Sequence, residues 1–223
     1  MLDIGAGCGW LLRYADKKGI EAIGIDIADK VIKENKWFDK FTKYKAKIKK
    51  GSIYKIPFAD NSFDLVVVSE VLEHLDNPEK ALKEVRRVLK KNGKFVLLIP
   101  GYSYNLIYDK IFVSFKKLGD VDYDTRMNKK LSPYKLSHKK RWEDHHRFTY
   151  TISSLKKLIG LSGFSVEKFE NSEFLSPFFN TIFSNILGIR REKTAFLEKA
   201  DVFLLDKVPL VLGSDWMITS KKI

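Results

Sequence analysis

The chain predicts a doubly wound α/β fold, a Rossmann-like, mostly parallel sheet with helices on both faces in three layers. Apolar, β-branched runs alternate with helix-period segments over the first hundred residues, the rhythm of a parallel sheet. A glycine-rich turn, Gly5-Ala6-Gly7-Cys8-Gly9, follows the first of these runs, and polar residues end the next ones. At 223 residues and 44% apolar content, the chain is long enough for one domain with a substantial core.

The elements follow in order. Leu2-Asp3-Ile4 closes a buried strand, and the glycine turn allows positive φ and close approach of a ligand. Trp10-Leu11-Leu12-Arg13-Tyr14-Ala15 starts a helix whose first N–H groups lack intrahelical partners. Ile20 to Asp26 is a second strand ending on a carboxylate. A lysine-rich helix spans Asp29 to Lys40, and a third strand lies near Ala46 to Ser52. Phe63 to Ser69 suits a strand covered on both faces. Asn77-Pro78-Glu79 starts a helix with a capping side chain, a first-turn proline and an acidic first turn. Ala81, Leu82, Val85, Val88 and Leu89 recur at helical spacing, and Asn92-Gly93 is read as the stop.

Lys94 to Ile99 is the next strand, ended by Pro100-Gly101. Residues 101–148 are aromatic and basic with no clean period, which predicts a lid or substrate cap inserted in a single domain of residues 1–223. Alternation resumes with a helix over Leu155 to Leu161, a stop at Gly163 and a strand from Phe164 to Phe169. Two short helices are expected over 174–210, and Asp215 to Ser220 is a last strand.

The formal net charge of +13 invites a polyanion partner, but the lysines are scattered in small clusters such as Lys43/Lys45/Lys47/Lys49/Lys50. A solvated face is the favoured reading. Cys8 is the single cysteine, so no internal disulfide forms. No cationic-then-apolar leader opens the chain, and its most apolar stretches are broken by Asn, Asp and Glu. A cytoplasmic protein is therefore expected. No cluster of His, Cys, Asp and Glu has the spacing of a metal site.

In a parallel sheet, ligands bind beyond the carboxyl ends of the strands, where strand order reverses. The glycine turn, Asp26, Ser52-Ile53 and Ser69-Glu70 all fall at such ends. Asp26 lies about 20 residues past the turn, where a carboxylate can accept two bonds from a ribose diol. The combined pattern resembles the class I S-adenosylmethionine-dependent methyltransferases, in particular their small-molecule and lipid group. The matching stretches are Leu2 to Gly9, Gly24-Ile25-Asp26, Gly51 to Phe58, Ser62 to His74 and Arg86 to Lys94. His146-Arg147-Phe148-Thr149 with Gly163-Phe164 matches a later block more loosely.

The resemblance implies S-adenosyl-L-methionine as cofactor and an antiparallel final strand. Gly5, Gly7 and Gly9 would pass under its methionine part and ribose, with Asp3 holding the turn and Asp26 binding the ribose hydroxyls. Ile53 would pack on the adenine, and Ser69 and Glu70 would border the methionine end. Ser52 stands where the family often has Asp, so the adenine amino group would meet a weaker, neutral acceptor. Relatives carry a helical segment ahead of the first strand. Here Met1 sits inside that strand, which implies a clipped start or an open cofactor site.

A dinucleotide-binding dehydrogenase fits less well, because Gly9 falls one place early and the bulky Trp10 follows it. A P-loop is excluded, since no Gly-Lys-Ser/Thr follows the turn. Nucleic acid is a poor acceptor candidate. The segment after the fourth strand lacks Asn/Asp-Pro-Pro-Tyr/Phe, and Cys8 lies in the turn rather than at an acceptor. A protein that keeps the fold and binds without catalysis is the alternative of a different class.

Methyl transfer chiefly requires holding the acceptor in line and excluding water. A general base is needed only for a hydroxyl or acidic carbon. His146, then His145, at the end of the expected lid, are the candidates, with His74, Glu73, Glu143 and Asp144 as further titratable neighbours. Aromatic residues among lysines point to a small-molecule or lipid-like acceptor and to peripheral contact with an anionic membrane. The acceptor atom and the oligomeric state are open at this level.

Overall fold

The structure, a computed structural model, describes residues 1–101, 150–173 and 215–223. The expected insertion beyond Gly101, the helices expected over 174–210, and His145 and His146 lie outside the described residues. Seven strands form one sheet in the order β3-β2-β1-β4-β5-β7-β6. They are β1 (Leu2–Ile4), β2 (Ile23–Asp26), β3 (Ile48–Lys50), β4 (Phe63–Ser69), β5 (Leu89–Pro100), β6 (Phe164–Glu173) and β7 (Asp215–Lys222). Pairing is parallel from β3 through β5, whereas β7 runs antiparallel to both β5 and β6. The fold is the expected one, reversed final strand included.

Helices α1 (Trp10–Lys17) and α2 (Asp29–Phe38) make the crossovers on the β2–β3 side, and α3 (Pro78–Val88) makes the crossover from β4 to β5. Because parallel crossovers are right-handed, opposite directions of travel put α3 on the opposite face from α1 and α2. The large core there joins Leu2, Ile4, Val66 and Val68 to Leu82, Val85 and Val88 of α3, and to Leu155 and Ile159 of α4 (Ile152–Leu161). A smaller cluster of Ala6, Leu12 and Ala46 lies beneath α1 and α2.

Local chemistry sets the helix ends. The Asn77 side chain accepts from the Lys80 N–H at 2.9 Å with Pro78 first in α3, a cap worth about 1 kcal/mol. Thr151 and Ser154 cap α4 reciprocally, a device the sequence reading passed over. The α3 terminus corrects one expectation. Leu89 is already extended, so α3 ends before Asn92-Gly93. Asn92 takes φ 64° inside β5, where the register jumps from Phe63↔Leu89 to Leu65↔Lys94. That pair therefore makes a bulge, not a helix stop.

Candidate cofactor site

Strand order reverses between β1 and β4, so the loops leaving these two strands meet at the switch point. They come close at Gly5, where an added Cβ would lie 2.3 Å from Val71 Cγ2. Gly5, Gly7 and Gly9 all have positive φ, 75°, 51° and 76°. Two of them are glycines for packing reasons as well, since a Cβ on Gly9 would meet Ala46, Arg13 and Asn35 within 3 Å. Gly7 differs. Among the described residues a Cβ there would have only the Gly5 carbonyl oxygen within 4 Å, at 3.9 Å, so none of them covers the backbone of the turn at this point.

The turn is fastened to the end of β2. Gly5 and Ala6 N–H both donate to the Ile25 carbonyl, at 2.9 and 3.1 Å. Gly7 N–H donates to Asp26 Oδ2 at 3.1 Å, and Asp26 Oδ1 accepts from Ala28 N–H at 2.9 Å. Each Asp26 oxygen thus keeps a further lone pair for a ligand. From behind, Arg13 of α1 is buried and donates to Cys8 O, to Asn35 O and Oδ1, and to Asp39 Oδ1. Asn35 in turn donates to Ala46 O at 2.8 Å. The sequence reading gave Arg13 and Asn35 no role. The available signal was an arginine flanked by the core positions Leu12 and Ala15 of an amphipathic helix.

Asp3 is the electrostatic centre of this region. It pairs in register with Gly24, so Asp3, Gly24 and Asp26 share one face of the sheet. The side chain is 4% exposed, and none of the described residues donates a hydrogen bond to it. Burial, with the Asp26 charge adding to it, raises its pKa from 3.8 to about 6. Two carboxylates beside an open glycine cradle, one of them buried and unpartnered, suit a ligand with a polar edge and positive charge. S-adenosyl-L-methionine, with its sulfonium, ammonium and ribose diol, is such a ligand, and the residues present fit it.

The other expected residues lie at and beyond the carboxyl ends of β3 and β4. Ser69 ends β4 opposite Leu98. Glu70 follows with φ 53°, a conformation costly for a non-glycine residue, and its N–H donates to Leu98 O at 3.1 Å. Ser52 Oγ accepts from Tyr54 N–H at 3.2 Å, and the Ile53 side chain is buried in the main core. The loop that follows is fixed by α3. Glu84 accepts from Ile56 N–H, and Arg87 donates to Ile56 O, Phe58 O and Asp60 as well as to Glu84. Beyond Glu70, Glu73 is buried, and that burial raises its pKa. His74 Nε2 lies 3.6 Å from Glu73 Oε1. Among the described residues no group of three His, Cys, Asp or Glu side chains could hold a metal ion.

Residues 2–97 match the family described as "Methyltransferase domain". An uncharacterized protein of Methanocaldococcus jannaschii is 37% identical over 117 residues, 52% of this chain and 47% of that protein. The demethylmenaquinone methyltransferase of Renibacterium salmoninarum is 37% identical over 98 residues, 44% of this chain and 39% of that enzyme. The chain thus spans less than half the length of these curated relatives. Among solved structures, an S-adenosylmethionine-dependent methyltransferase from Methanosarcina mazei shares the fold with a TM-score of 0.61 at 19% identity, covering 100% of this chain and 91% of that one. Residues 2–97, the stretch that matches the methyltransferase-domain family, contain the turn, Asp26 and the β4 end described above.

Proposed function

We propose that the chain is an enzyme that transfers the methyl group of S-adenosyl-L-methionine to a small-molecule or lipid-like acceptor. The observation that carries the cofactor half is the buried carboxylate of Asp3, to which none of the described residues donates a hydrogen bond, beside Gly7 and the half-used carboxylate of Asp26. When bound, the cofactor supplies an electrophilic methyl on a sulfonium leaving group. The protein then has to position and desolvate rather than activate.

Asp26 accepts from the ribose hydroxyls through its free lone pairs while holding Gly7 in place. Gly5, Gly7 and Gly9 let the backbone lie against the ligand, and Asp3 balances its positive charge. Ser52 and Ile53 border the adenine, and Ser69 and Glu70 the methionine end. His146 or His145 takes the acceptor proton where the acceptor is a hydroxyl or acidic carbon. For the acceptor class, support comes from the aromatic residues set among lysines and from a relative whose name specifies a quinone acceptor.

Isothermal titration of the full chain with S-adenosyl-L-methionine tests the cofactor, and incubation with labelled cofactor and fractionated metabolite and lipid extracts tests the transfer. A dissociation constant in the micromolar range and label in an organic-soluble or small-molecule fraction are expected. Absence of heat at millimolar cofactor would refute the reading. Binding without transfer into any fraction would leave a binding protein in place of an enzyme.

A further inference from the structure

We propose that the outer surface of α1 and α2 is a docking face for anionic lipid bilayers. It carries a continuous row of aromatic rings that the cofactor site does not use. Trp10 is 68% exposed, Trp37 55% and Phe41 70%, and Tyr14 lies one helical turn beyond Trp10. The rings touch one another, Trp10 to Phe38 at 6.5 Å, Phe38 to Trp37 at 5.2 Å and Trp37 to Phe41 at 4.7 Å between centroids. Tryptophans this exposed leave a large apolar area in water, which a lone surface residue would not explain.

The charge around this row is net positive. Residues 10–50 hold twelve Lys and Arg against six Asp and Glu. Several of those acids are already neutralised, Asp39 by Arg13, Asp29 by Lys50 and Glu34 by Lys30. Lys33 and Lys40 flank Trp37 at helical spacing, and Lys17 stands one turn beyond Tyr14. None of these three lysines meets a carboxylate among the described residues. The Lys18 ammonium lies 5.6 Å from the centre of the Tyr14 ring. Aromatic rings at headgroup depth with lysines reaching the lipid phosphates are the chemistry of a bilayer interface.

A single-stranded nucleic acid is the other polyanion such a face could attract. Base stacking needs ring faces standing apart, whereas these rings pack edge-on or tilted against one another and form a joined apolar strip. No described helix is long and apolar enough to cross a membrane, so the contact is a surface one. The row begins at Trp10, one residue after the glycine turn, so docking brings the mouth of the turn close to the lipid.

The test is co-sedimentation of the full chain with vesicles of phosphatidylcholine containing about 30% phosphatidylserine at about 0.1 M salt, against pure phosphatidylcholine. Binding to the anionic vesicles, lost at about 1 M salt, is expected. Trp37→Ser with Phe41→Ser, and separately Lys33→Glu with Lys40→Glu, should each lower it roughly tenfold or more. Melting temperature and cofactor titration should stay as in the parent chain, so failure here is separable from failure of the methyl-transfer reading. No anionic-vesicle binding at low salt, or binding that neither pair changes, would overturn the proposal. So would binding of oligo(U) in place of vesicles, or a dimer that the aromatic pair dissolves; these outcomes reassign the face to nucleic acid or to a second copy.

Discussion

Replacing Asp3 by Asn should make the free protein more stable and the cofactor site weaker. Burial and the neighbouring Asp26 raise the Asp3 pKa from 3.8 to about 6. Across that window the folded chain holds a proton that the unfolded chain has released. The contribution to stability is present at low pH and is lost as pH rises through 6. At pH 7.5 the charged side chain therefore costs the fold about 3 kcal/mol, and at pH 4.5 about 1 kcal/mol. The amide has nearly the same shape but its own desolvation to meet, so a net gain of about 1–3 kcal/mol is expected at pH 7.5. In a chain of this length that is roughly 2–12 °C in melting temperature. Calorimetric unfolding of both proteins without ligand, at the two pH values, measures it. The gain should shrink by about 2 kcal/mol on going to pH 4.5. Titration with S-adenosyl-L-methionine at pH 7.5 should meanwhile show at least a tenfold loss of affinity, the scale of one charge-assisted contact. A variant less stable than the parent at pH 7.5, a gain independent of pH, or undiminished affinity would refute the argument.

Two glycines of the turn, Gly5 and Gly7, should respond differently. Gly5→Ala drives a methyl into Val71 at 2.3 Å with φ 75° and should cost about 2–4 kcal/mol in denaturant unfolding. Gly7→Ala meets only the Gly5 carbonyl oxygen, in ordinary van der Waals contact, among the described residues, so it should cost only about 1 kcal/mol yet weaken the cofactor at least tenfold by calorimetric titration. Asp26→Ala releases the N–H groups of Gly7 and Ala28 as well as the ribose, and should lose at least tenfold in affinity along with about 1–2 kcal/mol of stability. Arg87→Met removes the donors that hold Ile56, Phe58 and Asp60, and should cost about 1–3 kcal/mol. Arg87 also keeps the Glu84 carboxyl below its ordinary range, so this network's contribution is present at neutral pH and fades as pH falls below 4.5. Parent and variant melting curves should therefore converge in acid.

The parallel half of the sheet was legible where a strand is a short apolar run closed by a polar residue, as β2 and β4 are, and where a helix carries its own start signal. Asn77-Pro78-Glu79 is the plainest case, since the cap, the first-turn proline and the acid all act within four residues. The end of α3 was misread for a related reason. Asn-Gly supplies positive φ equally to a helix terminus and to a bulge, and only the pairing of β5 with β4 decides between them. At the site, the turn and Asp26 could be read because their roles belong to the backbone and to fixed spacing. The partners of Arg13, by contrast, lie 22 and 26 residues away, Asn35 and Asp39. The core positions Leu12 and Ala15 place Arg13 near the core, but nothing local identifies the distant groups that neutralise it.

Those distant contacts decide how the site spends its stability. The turn is tied to Ile25, to Asp26 and, through Cys8, to Arg13, which limits the backbone freedom it could lose on binding. The unfavourable term sits at Asp3, whose charge is buried ahead of any partner for it. A site arranged this way favours a cationic ligand twice over, by the attraction and by relief of the repulsion with Asp26. It also explains why β1 can carry an acid at its centre, where Leu2 and Ile4 on either side are buried in the core. A valine at position 3 would pack better against Gly24 and Val67 and would hold the cofactor worse.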